Sequence, residues 1–372
     1  MQVFPVGAAN VIKAEVTKVV NWGGNMVAAH LQGDMDAASF MALSNSNNIR
    51  MKQGRAFLEG MSCGAYPNIY TIHDFNTMYQ QTRNGQPWGE PVPLPIFFVE
   101  EIGGNCCSKD WWCRVCCSPN HPALLKFYHA SAPEEQPPKK CMCINCGEQP
   151  DKSTPLRDRG AFMTLERIGM CQRIPGCLVC CESCQDEMRL HAGDVGSADD
   201  AGNLPDTKLI AYGKVPIGGG GCTPTVQVMD RSTGNEVQAA VIEGPMCFGG
   251  LTDCFCEAPF KISREKGKSG DLGKITKQTP KDCNGWCRAA CSTADTYDMA
   301  LTEQGKALTP VQKAALIGEM VHLDYMFFEK DQFPISCEQK GNTTWVRLTM
   351  CLCYFYGCLL PCTVNIPLSG DQ

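Results

Sequence analysis

Cysteine is the residue type that offers the most chemistry in this chain, which has 26 cysteines among 372 residues. The run CLVCCESC contains two C-x₂-C pairs, a spacing typical of zinc ligands. A second group lies in and before the loop 130–159, and such a loop would gain order from bound Zn²⁺ or an iron–sulfur cluster. For the first group, packed free thiols are an alternative to a metal. The candidates are Cys177, Cys180, Cys181 and Cys184 in the first group, and Cys113, Cys116, Cys141, Cys143 and Cys146 in the second.

No other part of the sequence has the pattern of a catalytic site. The motifs GxSxG and HExxH are absent, and the six histidines show no paired ligand spacing. The glycine run 218–221 is not followed by the Lys-Ser/Thr of a phosphate-binding loop, so it predicts a flexible turn. The sequence therefore predicts a protein that is not a hydrolase, a transferase or an oxidoreductase.

The composition is that of a globular protein, with 44% hydrophobic and 19% charged residues. Its net charge of -6 disfavours nucleic acid as a partner, since phosphate binding needs clustered Lys and Arg. The first residues have no long apolar stretch after a basic start, so we expect no secretory signal. In a reducing compartment the cysteines are expected to be thiols, metal ligands or lipidation sites rather than disulfides.

Short apolar runs separated by turn residues predict a mainly β protein. Many short strands with turn signals between them are typical of a sandwich or a barrel. The turn 230–235 joins two such runs and predicts a hairpin. The predicted strands are 55–59, 94–99, 123–128, 225–229, 237–242 and 259–262.

One helix has clear start signals. Thr309 is a good N-cap, Pro310 suits the first helical position, and Gln312 completes a capping box. From 311 to 328 the sequence is apolar on nearly all sides, which predicts a helix buried in protein or in lipid.

Three polar residues within this helix favour burial in protein. Glu319, His322 and Asp324 interrupt the apolar run, and each charged group at a bilayer centre costs roughly 2.5 kcal/mol or more. Glu319 and His322 are three positions apart, so we expect them to pair on one face of the helix.

The end of the chain is apolar and rich in cysteine. Residues 348–370 contain no charged residue, and this segment exceeds the roughly 20 residues that span a bilayer. Gly357, Pro361 and Pro367 weaken a continuous helix there. A membrane-inserted tail and a tail packed on the barrel or on a partner subunit remain alternatives. Its cysteines, which would be acylated or packed, are Cys351, Cys353, Cys358 and Cys362.

Five sequence blocks resemble motifs of the phospholipid scramblase family, whose members share a tubby-like fold. The blocks occur here in the same order as in the family. They cover roughly residues 50–330. The blocks are Asn105-Cys106-Cys107 with Cys116-Cys117-Ser118-Pro119; Thr164-Leu165-Glu166-Arg167 ahead of the cluster at Cys177 to Cys184; Glu243-Gly244-Pro245-Met246-Cys247 ahead of Cys254-Phe255-Cys256; Gly273-Lys274-Ile275-Thr276-Lys277; and Leu323-Asp324-Tyr325-Met326-Phe327-Phe328-Glu329.

The resemblance implies a closed antiparallel barrel of twelve strands around a buried C-terminal helix, at about 309–328. The implied organisation is an N-terminal segment 1–50, a scramblase-like barrel 51–330 and an apolar, cysteine-rich tail 331–372. A closed barrel also removes exposed strand edges.

The resemblance further implies a Ca²⁺ loop at 293–304, although the family's opening and closing acids are replaced here by threonine and glutamine. Ca²⁺ favours six to eight oxygen ligands, of which Asp295, Asp298 and Glu303 would supply three. A solvated acidic turn is the alternative.

The cluster at Cys177, Cys180, Cys181 and Cys184 corresponds to the palmitoylation region of the family, so palmitate is a further alternative to a metal at these residues. Two acyl chains anchor a protein stably where one does so only marginally.

The resemblance implies a scramblase-like, membrane-associated protein that moves phospholipids passively between leaflets. The alternative is a non-scrambling accessory subunit of a larger membrane assembly that retains the same fold. The expected partners are membrane phospholipids and other protein subunits. The expected location is intracellular, on the cytoplasmic face of the plasma membrane or on an organelle such as the mitochondrion.

Overall fold

The structure is a computed structural model of the full chain. It describes residues 37–54, 68–80, 82–83, 86–87, 91–103, 121–130, 155–168, 185–197, 200–268, 270–279, 295–328, 335–340 and 343–368.

The described residues form eighteen strands and a small number of helices. The strands are β1 (Asn48–Gln53), β2 (Ile69–Tyr79), β3 (Thr82–Arg83), β4 (Gln86–Pro87), β5 (Val92–Glu101), β6 (Ala123–His129), β7 (Met163–Ile168), β8 (Glu187–Ala192), β9 (Leu209–Lys214), β10 (Thr225–Asp230), β11 (Val237–Glu243), β12 (Cys247–Phe248), β13 (Ala258–Ser263), β14 (Gly273–Lys277), β15 (Thr296–Leu301), β16 (Ile335–Lys340), β17 (Thr343–Phe355) and β18 (Cys358–Leu368). The α-helices are α1 (Ala37–Asn45), α2 (Glu303–Lys306) and α3 (Pro310–Leu323), and a π-helical turn follows at Asp324–Phe328. Short 3₁₀ turns lie at Arg157–Arg159, Asp206–Lys208, Ile217–Gly220 and Gly250–Cys254.

Twelve strands close into an antiparallel barrel, as predicted. Their order around the barrel is β1-β15-β14-β13-β11-β10-β9-β8-β7-β6-β5-β2, and β2 pairs with β1 to complete the ring. Side chains alternate along these strands: in β15, Tyr297, Met299 and Leu301 are buried while the residues between them are partly exposed. Alternation arises because successive side chains of a strand point to opposite faces of the sheet.

Most of the predicted strands lie within barrel strands β5, β6, β10, β11 and β13. The predicted hairpin is also present, because β10 and β11 pair antiparallel on either side of the turn. The predicted strand 55–59 lies outside the described residues, as does most of the loop 130–159. The first barrel strand begins at Asn48, three residues before the boundary that the sequence suggested.

Helix α3 fills the barrel and has the predicted start. The Thr309 side chain accepts a hydrogen bond from the backbone of Gln312, and the Gln312 side chain reciprocates. Every residue from Lys313 to Leu323 is buried, and the helix packs against β8, β9 and β10. The prediction of a helix buried in protein is confirmed.

The end of this helix is held by aromatic rings. Phe327 and Phe328 in the π-helical turn contact Phe248 at centroid distances of 5.3 and 5.6 Å, and Phe327 stacks on Phe260 at 5.8 Å. Aromatic pairs at these separations contribute beyond the area they bury. The cluster fixes the position of the polar residues that precede it on the helix.

The C-terminal tail forms strands rather than a helix. Strands β17 and β18 form a long hairpin, and β17 also pairs with β16 and with β12, which lies between barrel strands β11 and β13 in the chain. No helix within the described part of the chain combines the length and the apolar character that crossing a bilayer requires.

The hairpin docks on the barrel through its inner face. Tyr354 is buried, its ring lies 6.0 Å from that of Phe327, and its hydroxyl donates to the backbone carbonyl of Gly219 at 2.7 Å. Gly219 has a positive φ, and a Cβ there would lie 2.4 Å from the backbone nitrogen of Gly357. The glycine run 218–221 is thus a turn, as predicted, that allows close approach of the hairpin tip.

Candidate functional site

The three acids of the predicted Ca²⁺ loop lie in different environments. Asp298 is on the outer side of β15, where its two carboxylate oxygens accept from the Arg50 guanidinium at 2.6 and 2.7 Å. Glu303 opens α2 and is exposed, and its carboxylate pairs with Lys306. Asp295 precedes β15 and pairs with the ammonium of Lys277. The structure does not bring these three carboxylates together, and Ca²⁺ binding by them stays a prediction.

Asp295 belongs to a buried polar network around Lys277. The Lys277 ammonium lies 2.9 Å from Asp253 Oδ2 and 3.0 Å from Asp295 Oδ2, and 4.0 Å above the centre of the Phe328 ring. A cation over an aromatic face is attracted by the ring quadrupole. Lys277 therefore joins two loops of the barrel to the end of the central helix.

Two tyrosines connect this network to Asp324 at the end of α3. Tyr70 on β2 donates to Asp324 Oδ2 and Tyr297 on β15 donates to Asp324 Oδ1, each at 2.7 Å. The Tyr297 hydroxyl is also 3.4 Å from Asp295 Oδ2. The carboxyl group of Asp324 thus has a hydrogen-bond partner on each oxygen, as a buried polar group requires.

Burial and charge alter the protonation of these acids. Desolvation, together with the negative charge of Asp295, raises the pKa of Asp324 to about 7. Desolvation also raises the pKa of Asp295, against the lowering effect of Lys277. Asp253 and Asp295 both pair with Lys277, and Tyr297 links Asp295 to Asp324. A proton on Asp324 therefore reduces the negative charge that this one lysine has to balance.

A second buried network lies earlier on α3. The Glu319 carboxylate is 2.8 Å from Nδ1 of His322, which confirms the predicted pair, and Nε2 of His322 is 3.5 Å from Asp186 Oδ1. Asp186 in turn accepts from Arg167 at 2.7 Å, and the guanidinium lies 5.3 Å from the centre of the Tyr325 ring. The carboxylates of Glu319 and Asp186 thus pair with the side chains of His322 and Arg167 inside the barrel.

The pKa values in this network follow from the pairing. Burial lowers the pKa of His322, but Glu319 and Asp186 outweigh that effect and raise it to about 9. Burial raises the pKa of Asp186, but Arg167 and His322 outweigh it and hold the pKa below its ordinary value. His322 is therefore a protonated member of an ion-pair network at neutral pH rather than a free titrating group.

A glycine on the barrel wall makes room for this network. A Cβ on Gly213 of β9 would lie 1.8 Å from Oε1 of Glu319. Any side chain at this position would overlap the carboxylate, so glycine leaves the space that the Glu319 carboxylate occupies.

The predicted cysteine sites lie outside the described residues: Cys113, Cys116, Cys141, Cys143, Cys146, Cys177, Cys180, Cys181 and Cys184. Their binding of metal or palmitate stays a prediction. Sequence spacing did not indicate a different set, Cys247, Cys351 and Cys353, whose sulfurs lie within 4.8 Å of one another. Only the pairing of β12 with β17, between residues more than a hundred positions apart, brings them together.

A family model described as Scramblase matches residues 163–330, from the start of β7 to just past the end of the central helix. The matched region contains Arg167, Asp186, Lys277, Glu319, His322 and Asp324. No curated protein and no solved structure matches the chain.

Proposed function

Because this chain belongs to the phospholipid scramblase family, we propose that it acts at an intracellular membrane surface, on the plasma membrane or an organelle, in contact with phospholipids. In this proposal the β17–β18 hairpin makes the contact and promotes passive movement of phospholipids between leaflets. The barrel serves as the rigid base that holds the hairpin. The family is not a classical enzyme family, and no bond-forming step is required.

The observation that carries the proposal is the outward face of the hairpin. On β18, side chains two positions apart share a face, and those of Leu360, Val364, Ile366 and Leu368 are 43–54% exposed. The hairpin turn adds exposed Phe355 and Tyr356. From 348 to 368 the segment has no charged residue. Contiguous exposed apolar surface of this kind is typical of membrane or protein contact, and aromatic side chains favour the membrane interface.

Strand β18 is suited to the interfacial zone rather than the bilayer centre. Unpaired backbone groups of an edge strand are costly in hydrocarbon, and Pro361 and Pro367 remove two of the backbone donors of this strand. A shallow insertion of the hairpin would displace headgroups and thin the bilayer locally. This would lower the barrier for headgroup passage without a channel through the protein.

Two cofactors enter the proposal as modulators. Palmitate on Cys177, Cys180, Cys181 or Cys184 would add anchoring strength. Ca²⁺ at Asp295, Asp298 or Glu303 would require rearrangement, because each of these acids has a cationic partner. Binding of Ca²⁺ would then compete with Arg50, Lys277 or Lys306.

The test measures binding and scrambling in the same preparation. Full-length protein is reconstituted in vesicles that carry a fluorescent phospholipid in one leaflet, and accessibility to a membrane-impermeant quencher is followed with and without Ca²⁺. Binding to empty vesicles is measured by co-sedimentation. Protein-dependent loss of asymmetry supports scrambling; vesicle binding with intact asymmetry removes scrambling and leaves the membrane contact.

A matched pair of variants assigns the contact to the hairpin. The double variant L360D/V364D places two carboxylates on the outward face, and V237D places one on an equally exposed apolar residue of the barrel. A charge at the bilayer centre costs roughly 2.5 kcal/mol, and we take about half of that for each charge at the interface. Two such charges should therefore weaken vesicle binding by more than tenfold. Equal binding by L360D/V364D and V237D would remove the hairpin from the proposal.

The second candidate function is that of a non-scrambling accessory subunit. The observation that favours it is the packed interior of the barrel, where α3 is buried along nearly its whole length. Among the described residues the barrel therefore provides no polar groove for headgroups. Salt-resistant co-purification with other subunits, together with intact lipid asymmetry in the vesicle assay, would favour this function.

A further inference from the structure

Four cysteines form a cluster on one face of the C-terminal sheet, and the proposed function does not use them. Cys351 and Cys353 are two positions apart on β17, so they share a face. Cys362 on β18 is the register partner of Cys351, and Cys247 on β12 is the register partner of Cys353. Register partners point to the same side of a sheet. Three strands thus place four thiols side by side.

The sulfurs of Cys247, Cys351 and Cys353 all lie within 4.8 Å of one another, and Cys362 is placed to add the fourth ligand beside Cys353. The Sγ atoms of Cys353 and Cys362 are 3.5 Å apart, and those of Cys351 and Cys353 are 3.9 Å apart. Four sulfurs around a tetrahedral zinc, each about 2.3 Å from the metal, lie roughly 3.8 Å from one another. The Sγ atoms of Cys247 and Cys353 are closer, at 2.6 Å, and a metal between them would separate them.

The cluster is accessible to an incoming ion. Cys247 and Cys362 are exposed, and Cys351 and Cys353 are partly exposed. The inner face of the same hairpin carries Tyr354, so the thiols are on the side away from the barrel.

We propose that Cys247, Cys351, Cys353 and Cys362 bind one thiophilic metal ion of the Zn²⁺ class in tetrahedral coordination. Each sulfur releases its proton to solvent as its metal–sulfur bond forms, and no electron is transferred. The ion links β12, which lies between barrel strands β11 and β13 in the chain, to both strands of the hairpin. The site thereby clips the C-terminal sheet to the barrel and stabilises the surface that faces the membrane.

The chain has 26 cysteines, so the test compares variants rather than total binding. Full-length reduced protein is loaded with Zn²⁺ under anaerobic conditions, excess metal is removed, and the bound equivalents are counted. Co²⁺ is used in parallel, since thiolate ligands give a charge-transfer band. Cys353→Ser and Cys362→Ser should each lose one equivalent of tightly bound Zn²⁺ and the matching part of the Co²⁺ band.

Two controls separate this site from other thiols and from misfolding. The control variants are Cys358→Ser and Cys222→Ser, and both should retain the full metal content. Cys358 is on the same hairpin but is the register partner of Phe355 rather than of a proposed ligand, and Cys222 is exposed on a turn. The circular dichroism of all four variants should match that of the parent in the metal-free state. Equal metal content in all variants would overturn the proposal.

The main competing chemistry gives a different result. If Cys247 and Cys353 form a disulfide, protein isolated with its thiols blocked would contain a peptide linking these two residues. That linkage, with no metal lost in Cys362→Ser, would also overturn the proposal. Loss of vesicle binding in the hairpin variants has no bearing on this outcome, because the metal content is measured without lipid.

Discussion

The hydroxyl group of Tyr297 lies 2.7 Å from Asp324 Oδ1 and 3.4 Å from Asp295 Oδ2. One side chain of the barrel wall thus joins an acid of the segment before the central helix to an acid at the end of that helix. Tyr297 and Asp324 are buried and Asp295 is only partly exposed, so a change in protonation at one of the two acids alters the energy of the other. This relationship leads to a prediction about the pH dependence of stability.

Stability should fall as the pH rises through the acidic range because of Asp324. Its pKa is about 7 in the folded protein and near 4 in the unfolded chain, so the folded state holds a proton that the unfolded state has lost. The free energy of unfolding should therefore decrease between about pH 4 and pH 7, by a few kcal/mol at most. Urea unfolding at pH 5, 6, 7 and 8 measures this slope.

The variant Asp324→Asn removes the titrating group and should flatten this part of the profile. His322 acts in another window: its raised pKa adds stability that is complete below about pH 6.5 and is lost as the pH rises towards 9. The comparison of variant with parent isolates Asp324. An unchanged slope between pH 5 and pH 7 in Asp324→Asn would contradict the assignment.

Breaking the buried pair of Arg167 and Asp186 should be strongly destabilising. Arg167 is fully buried, and its loss leaves the Asp186 carboxylate with only His322 to compensate it. Removing one partner of a buried ion pair typically costs about 3–5 kcal/mol. Chemical denaturation of Arg167→Met measures this loss.

The matched control for this prediction is Arg157→Met. Arg157 also pairs with a carboxylate, Glu100, at 2.7 Å, but its side chain is 62% exposed. Exposed ion pairs contribute about 1 kcal/mol or less. A similar decrease in the free energy of unfolding in the two variants would show that burial does not determine how much the pair of Arg167 and Asp186 contributes to stability.

A methyl group at Gly213 should displace the side chain of Glu319. The added Cβ would lie 1.8 Å from Glu319 Oε1, so Glu319 must move and its contact with His322 must weaken. Overpacking of this kind costs about 1–3 kcal/mol. Thermal unfolding of Gly213→Ala measures the effect.

Gly54→Ala is the control for the displacement of Glu319. Gly54 directly follows β1, and the atom nearest to an added Cβ there is the backbone oxygen of Ile69 at 3.2 Å. We expect a smaller change in the unfolding midpoint. Were Gly213→Ala as stable as the parent, Glu319 would have to occupy another position.

Docking of the hairpin should depend on Tyr354. The variant Tyr354→Ala loses a buried ring against Phe327 and a hydrogen bond to Gly219. Loss of a buried aromatic side chain costs about 3–5 kcal/mol, and here that loss should appear as opening of the hairpin. Amide hydrogen exchange of residues 343–368 should become faster, while the barrel strands keep their protection.

Phe355→Ala tests the same hairpin on its outer face. The Phe355 side chain is 53% exposed, so its removal should leave exchange in 343–368 nearly unchanged. Faster exchange in both variants would indicate that the hairpin is held by its own turn rather than by the barrel.

Local signals in the sequence determined the central helix. Thr309, Pro310 and Gln312 specify its start through contacts within one turn, and the apolar run that follows determines its burial. Short apolar runs between turn residues likewise predicted several of the strands. The number of strands, their closure and the wrapping of the barrel around the helix came from the resemblance to a family rather than from any local pattern.

Tertiary structure alone decided which distant residues meet. Arg50 and Asp298 are 248 positions apart, and their pairing holds Asp298 away from Asp295, which is only three positions from it in the sequence. The charge-free tail is long enough for one helix or for two strands. It forms strands because β17 pairs with β12 and β16. The same pairing assembles Cys247, Cys351, Cys353 and Cys362, because strand register is set by packing between segments that are far apart in the chain.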